Sequence, residues 1–223
     1  MRLLWIAFCL VITYSSYGQD VREFFTSLEA EVEFVGLDFS QAKMVGLSAK
    51  NAPDEIQVNY FRAWNDLLMQ ERQKYDVNRA FMKRSIDYNF KIVNRLNKKI
   101  KLVDLLTDLS PQSFSARKLQ AIVTCYDTKE MKSKYGLSFI VHSFNQFRER
   151  AYVYVVIFDV RTKRILFSAQ TSGDAGGFGF RNYWARTIYN ILENIRDYKF
   201  KKWKSKIKKQ ALLKDLSRKS QKK

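Results

Sequence analysis

Three strand-like runs in the third quarter of the chain constrain the fold more than any other feature. They cover 137–147, 151–160 and 165–171, and short charged connections separate them. In the middle run, both of the alternating faces are apolar. Because successive strand residues point to opposite faces of a sheet, such a run must be covered on both sides. The spacing predicts an antiparallel three-strand meander with 151–160 as its central strand.

Helical periodicity surrounds these runs. Apolar residues recur at three and four positions after Pro53, again over 115–126, and again over 180–196, where Trp184, Ile188, Ile191, Leu192 and Ile195 share one stripe. Outside these segments, 30–39 has the pattern of a first strand and 101–106 that of another strand. The stretch 81–100 fits either a strand or a helix, and its length favours a helix.

This order of elements predicts a fold of the α/β class, of the α+β type. We expect a mixed sheet that ends in the antiparallel meander, helices on its flanks and a long basic helix at the C-terminus. The hydrophobic fraction of 46% is ample for a buried core and excludes a disordered polyelectrolyte. We expect a single domain over 19–197, followed by a basic extension over 198–223.

The first 18 residues have the three parts of a secretory signal peptide. Arg2 supplies the charge, 3–12 is an apolar run, and Ser16 and Gly18 are the small residues of a cleavage site. We expect export to the periplasm or cell envelope, with no transmembrane segment in the mature chain, since the run is shorter than the roughly 20 residues that span a bilayer. Cys9 lies in the middle of this run rather than after it, so a lipid anchor is not expected.

Few residues offer catalytic or metal-binding chemistry. The chain has one histidine, His142, and Cys125 is the only cysteine beyond the leader. Tetrahedral zinc prefers several His and Cys ligands, which this chain lacks, so no metal site is predicted. No cofactor site and no catalytic residue is predicted either. We interpret His142 as a hydrogen-bonding strand residue and Cys125 as a buried helix residue. An enzyme that uses Cys125 or a carboxylate remains an alternative, and a solvent-exposed Cys125 with a low pKa would favour it.

Four of the eight glycines fall between the last strand of the meander and the following helix, within 173–179. One interpretation is a structural turn, with Phe178, Phe180, Tyr183 and Trp184 packed beneath it. The other is an anion or partner site built on backbone N–H groups. The candidate binding residues of this loop are Gly176, Gly177, Gly179, Arg181 and Asn182.

The end of the chain carries a concentrated positive charge. Over 198–223 there are twelve Lys or Arg residues against Asp215 alone, and apolar residues recur among them at helical spacing. This pattern predicts a basic amphipathic helix, with Lys201, Lys204 and Lys208 as candidate contacts to an anionic lipid or lipopolysaccharide surface. A solvated terminus is the alternative. Nucleic acid is an expected partner only if the leader is not a signal peptide.

The segments 153–166 and 173–184 resemble a family of small exported bacterial proteins with no assigned activity. Their arrangement of strand, Asp, turn, strand, Gly-rich loop and helix also looks like the closing unit of the curli-secretion lipoprotein and of the lipoprotein activators of penicillin-binding proteins. The segment 35–40 is similar to the opening strand of that fold. The resemblance implies a non-enzymatic accessory role in the envelope, in which the protein docks on another protein, and no catalytic residue carries over from it.

Overall fold

The structure is a computed structural model, and it describes residues 16–47 and 55–220. The predicted leader lies outside the described residues, except for 16–18, which begin the first helix.

The described chain forms strands and helices in mixed order. The strands are β1 (Val32–Asp38), β2 (Lys43–Val45), β3 (Asp87–Tyr88), β4 (Leu106–Thr107), β5 (Tyr135–Asn145), β6 (Arg150–Asp159) and β7 (Ile165–Asp174). The helices are α1 (Ser16–Thr26), α2 (Phe61–Gln70), α3 (Val77–Ala80), α4 (Lys91–Asn97), α5 (Ala116–Thr124), α6 (Phe180–Asn194) and α7 (Phe200–Ser220). A π-helical turn over Ile56–Tyr60 leads into α2, a second over Ile195–Lys199 joins α6 to α7, and Leu102–Asp104 forms a 3₁₀ turn.

The sheet is organised around β5. Along one edge, β5 pairs antiparallel with β6, which pairs antiparallel with β7. Along its other edge, β1 and then β2 pair with successive parts of β5, both in parallel. The short strands β3 and β4 lie outside β1 and β2, again in parallel.

The mixed α/β class is therefore confirmed, but an antiparallel meander does not describe the sheet as a whole. Within the described residues, four of the six strand pairings are parallel. The reason is the long crossover between β2 and β5, which carries helices α2 to α5 and returns the chain in the same direction. The parallel side is built from short strands whose pairing partners are far away in sequence.

Both faces of the sheet are covered, as the apolar middle run predicts. The side chains of 153–158 in β6 are all buried. On one face, Phe158 contacts Tyr126 at the end of α5, with ring centroids 5.7 Å apart. On the other face, Phe167 contacts Phe25 of α1 at 5.1 Å and Trp203 of α7 at 5.2 Å. The predicted stripe of α6 is also entirely buried against the sheet.

Two sequence expectations between α2 and α5 are wrong. The stretch 81–100 is not one helix, because it contains the two-residue strand β3 before α4. The expected strand over 101–106 is mostly the 3₁₀ turn, and only Leu106 belongs to a strand. In both places the outcome depends on whether a neighbouring strand lies close enough to pair, which local periodicity does not reveal.

Two buried asparagines complete the hydrogen bonding where β1 runs past the end of β3. Asn65 of α2 accepts a hydrogen bond from the Leu37 N–H at 2.7 Å and donates to the Leu37 carbonyl at 3.1 Å. Asn97 at the end of α4 donates to that carbonyl at 3.0 Å and accepts from the Phe39 N–H at 2.8 Å. The side-chain amides thus replace a missing strand, since buried backbone groups need partners. They fix the corner where the chain leaves β1 for β2.

Candidate functional site

The glycine-rich loop connects β7 to α6 and needs glycine for its backbone. Gly177 and Gly179 have φ angles of +103° and +79°, in the region that side-chain-bearing residues rarely adopt. Gly179 is the residue immediately before α6, and its carbonyl accepts a hydrogen bond from the Tyr183 N–H at 2.9 Å. The loop therefore ends where the helix begins, and the chain reverses direction within a few residues.

Hydrogen bonds hold this loop in one place. The Gly176 N–H donates to the Tyr183 carbonyl at 3.1 Å, and the Asn190 side chain donates to the Asp174 carbonyl at 2.8 Å. Trp64 of α2 donates its Nε1–H to the Arg181 carbonyl at 2.9 Å. The N–H groups of Gly176 and Tyr183 already donate hydrogen bonds within this segment, so neither is free to bind an anion. An anion site built on the loop stays a prediction.

Phe178 does not pack beneath the loop, and this expectation is wrong. Its side chain is 95% exposed. The other aromatic residues of the segment do pack, since Phe180 contacts Tyr60 at 4.9 Å and Trp184 stacks on Phe144 at 4.8 Å. Phe178 lies between the two glycines with positive φ angles. A fixed loop thus presents one aromatic ring to solvent.

The hairpin between β5 and β6 lies beside the loop. The Ala175 N–H donates to the Glu149 carbonyl at 2.6 Å, and Arg150 forms an ion pair with Asp174 at 2.5 Å. The hairpin carries Phe147, which is 68% exposed and rests one side of its ring on the backbone of Gly46. A second exposed aromatic ring therefore stands at the same end of the sheet.

We call this region the loop-end surface, which comprises Phe147, Arg148, Phe178, Arg181 and Asn182. All five residues are exposed. Among the described residues, neither arginine of this surface forms an ion pair. The surface therefore combines apolar rings with two arginines that form no ion pair, beside the exposed carboxylate of Glu149. Sequence reasoning found Arg181 and Asn182 but missed the hairpin residues, which come close only through the β6–β7 pairing.

The candidate lysines lie elsewhere, in the first turns of α7. Lys201 and Lys208 are exposed, whereas Lys204 is half-buried. Lys204 lies near Lys83, whose side chain is buried and donates to the carbonyls of Phe24 at 2.5 Å and Ser27 at 2.8 Å. Burial, together with the charge of Lys204, lowers the pKa of Lys83 to about 8.

The structure does not bring the loop residues and the tail lysines together. Helix α6 and the π-helical turn, 180–199, separate them. At 1.5 Å per residue this stretch is about 30 Å long. The predicted site residues therefore belong to two surfaces, one at each end of α6.

No pattern in the sequence predicts the buried polar cluster around Asp38. The Asp38 carboxylate, at the end of β1, accepts hydrogen bonds from the Tyr126 hydroxyl at 2.7 Å and from the Ser40 N–H at 2.7 Å. The Tyr126 hydroxyl also lies 2.9 Å from the Ser138 hydroxyl. Burial raises the pKa of Asp38, and burial beside Asp38 raises the pKa of Tyr126. The cluster joins α5 to two strands from the inside of the molecule.

His142 and Cys125, the two residues that could have suggested an enzyme, do not form one site. His142 is buried in β5, where its ring nitrogens lie 3.0 Å from the Gln112 carbonyl and 3.1 Å from the Ser143 hydroxyl. Cys125 is exposed rather than buried, so that expectation is wrong, and its Sγ donates to the Ala121 carbonyl at 3.4 Å. No hydrogen bond joins His142 to Cys125.

Over 16–47 and 55–220, no group of three or more His, Cys, Asp or Glu side chains is placed to hold a metal ion. Among the helices of the same ranges, none has both the length and the apolar character needed to cross a bilayer.

No family model matches the chain, and no curated protein matches it. Among solved structures, the chain is similar to the C-terminal domain of LpoB from Salmonella enterica. The identity is 11% and the TM-score is 0.26, over 71% of this chain and 98% of that one. This is a distant resemblance that concerns the fold alone.

Proposed function

We propose that the protein is an exported binding protein of the cell envelope, which docks on a partner protein through the loop-end surface. The observation that carries this proposal is the 95% exposure of Phe178 on a loop that hydrogen bonds hold in place. An aromatic ring on a fixed loop loses little conformational freedom on binding. Such rings are the residue type on which binding energy at protein interfaces is concentrated.

The charge of the surface indicates what kind of partner fits. Arg148 and Arg181 have no ionic partner within the described residues, and guanidinium groups pair well with carboxylates. We therefore expect an apolar pocket for Phe178 on the partner, bordered by Asp or Glu side chains. Complementary charges of this kind speed association and select the partner.

The envelope location rests on the predicted leader, and α7 supplies a second contact. Its lysines, including Lys201 and Lys208, suit an anionic surface such as that of lipid headgroups. Changing Lys201, Lys204 and Lys208 to Glu should abolish this attachment, as measured by co-sedimentation with anionic vesicles. Unchanged co-sedimentation would remove the tail from the proposal and leave the loop-end surface standing.

Position-specific crosslinking in intact cells tests the docking. A photoreactive phenylalanine analogue replaces Phe178 in one chain and Leu28 in a control chain. Leu28 is half-exposed but precedes β1, at the opposite end of the sheet. We expect one discrete envelope protein to crosslink from position 178 and not from position 28.

The captured protein is then purified and titrated with the original chain and with Phe178→Ala. We expect the variant to bind at least roughly tenfold more weakly, with unchanged thermal stability, because the ring contacts little of its own fold. Leu28→Ala should bind like the original chain. Equal affinity for Phe178→Ala, or equal crosslinking from both positions, would refute docking through this surface.

A further inference from the structure

Helix α7 uses its first apolar stripe to attach to the domain. Phe200 and Trp203 are buried, and Ile207 packs partly buried against the same core. The ring of Phe200 lies 5.3 Å from that of Phe25, and Trp203 contacts Phe167 at 5.2 Å. This is the stripe that the sequence suggested for a surface helix. It is occupied by the protein's own core and is not available to any other partner.

A second apolar stripe lies further along the same helix. It consists of Leu212, Leu213 and Leu216, which are 55%, 55% and 63% exposed. Spacings of three and four residues place these leucines on one helix face. Trp203 and Leu212 are nine positions apart, and at about 100° per residue nine positions correspond to opposite sides of a helix. The outer stripe therefore points away from the domain.

Positive charge borders this outer stripe. Lys208 and Lys209 are exposed and lie one turn before Leu212 and Leu213 on the same side of the helix. Asp215, the one acidic residue of 198–223, is paired with Arg22 of α1 at 3.1 Å. That exposed pair joins the C-terminal third of α7 to α1. The lysines beside the leucines thus have no carboxylate from their own helix to neutralise them.

We propose that the outer stripe inserts into the surface of an anionic phospholipid bilayer, with Lys208 and Lys209 bound to headgroup phosphates. This inference rests on the proposed role of the tail and adds a buried apolar contact to a purely ionic one. Leucines flanked by lysines on one helix face are typical of helices that lie in the plane of a membrane surface. Long lysine side chains can keep their ammonium groups at the headgroups while their stems lie along the apolar layer.

A second copy of the chain fits this stripe less well. Two such helices packed leucine to leucine would bring the lysines of one copy against those of the other, and like charges repel. Three leucines over little more than one turn also make a short seam compared with the three or four heptads of a stable coiled coil. Charge therefore favours a negatively charged surface as the occupant.

The test uses the full chain and a triple variant with Leu212→Ser, Leu213→Ser and Leu216→Ser. Binding is measured by co-sedimentation with vesicles of phosphatidylglycerol and phosphatidylcholine, and with vesicles of phosphatidylcholine alone. We expect the triple variant to bind the anionic vesicles at least roughly tenfold more weakly than the original chain. The original chain should keep part of its binding at high salt, because salt screens ionic contacts but not apolar insertion.

Controls separate this inference from the others. Leu28→Ser removes an exposed leucine elsewhere, and Phe178→Ala alters the loop-end surface, so both should bind vesicles like the original chain. If the lysine variants lose binding but the leucine variant keeps it, the tail is purely ionic and the inference is overturned, while the proposed function stands. If sedimentation shows a dimer that the leucine changes convert to a monomer without affecting vesicle binding, the stripe joins two copies and the inference is likewise overturned.

Discussion

Replacing Gly173 by Ala tests how α6, and with it the loop-end surface, is held on the sheet. Gly173 is buried in β7 directly beneath α6. A Cβ atom at this position would lie 2.1 Å from the Thr187 carbonyl oxygen and 3.0 Å from the Ile191 side chain. Ordinary contacts of this kind are longer than about 3.4 Å. Because the closest atom belongs to the backbone of a helix, no rotamer change relieves the clash, and α6 itself must move.

The cost follows from what α6 buries. Overpacking a well-packed core costs about 1–3 kcal/mol. The shift of α6 would also loosen Trp184 and Ile188, which are buried beneath the helix. We therefore expect the free energy of unfolding to fall by about 3 kcal/mol, which for a chain of this size lowers the melting temperature by about 6–12 °C.

Gly176→Ala is the matched control. It lies in the same glycine-rich segment, but the nearest atom to an added Cβ is Cγ of Arg186 at 3.8 Å, an ordinary contact. Urea unfolding followed by tryptophan fluorescence measures both variants. We expect Gly176→Ala to stay within about 0.5 kcal/mol of the original chain. If Gly173→Ala were equally stable, the close approach of α6 to β7 would not be what determines this packing.

Three further changes test the buried polar groups, each by urea unfolding. For Asp38→Asn, the amide can still accept a hydrogen bond from the Ser40 N–H and donate one to the Tyr126 hydroxyl. Because burial raises the pKa of Asp38 in the folded state, the original chain should lose stability as pH rises above the ordinary value of 3.8, whereas the variant should not. The pKa of Lys83 falls from 10.5 to about 8 on folding, so the original chain should gain stability as pH rises between these two values. Lys83→Met should remove this dependence of stability on pH. Asn65→Ala leaves the Leu37 N–H unpaired and should cost about 1–3 kcal/mol at all pH values. A flat pH profile of the original chain, or a neutral Asn65→Ala, would contradict the corresponding interpretation.

The sequence predicts those parts of the fold whose pattern is long. Strand β6 is apolar on both faces over the eight residues 151–158, and it lies between β5 and β7 with both faces covered. The stripe that begins at Trp184 in α6 repeats through about three turns, and every predicted member of it is buried. In such segments the burial of many side chains outweighs any local preference, so periodicity alone identifies the element.

Short elements carry no comparable signal. Strands β2, β3 and β4 contain two or three residues each, and they exist because a neighbouring strand offers hydrogen bonds. Asn65 and Asn97 show the same dependence. Their side-chain amides take the place of a pairing strand because α2 and α4 lie against the end of β1. Nothing in the local pattern around an asparagine indicates which distant backbone it will contact.

The candidate site was predicted in part, for a similar reason. Glycines at 177 and 179 mark the loop, but an aromatic residue between them was expected to be buried, as most phenylalanines are. The signal that could have placed Phe178 outside is the pair of glycines itself, because glycines on both sides of a residue mark a tight turn, and turns lie at the protein surface. The leucines of α7 give no separate signal in the sequence, because the inner stripe, centred on Trp203, already accounts for an amphipathic helix.

The two proposed surfaces are connected by one continuous helical rod. Helix α6, the π-helical turn and α7 together span 180–220 without a break, about 60 Å at 1.5 Å per residue. The loop-end surface lies at the start of this rod and the outer leucine stripe near its end, and buried contacts from Trp184 to Trp203 fix the rod to the sheet. A partner held at Phe178 and a membrane held at Leu212 would therefore be kept at a set distance, and the two contacts could be made at once. Two weak contacts joined by a rigid spacer of the right length bind more tightly than either alone, because the second forms at high effective concentration once the first is made.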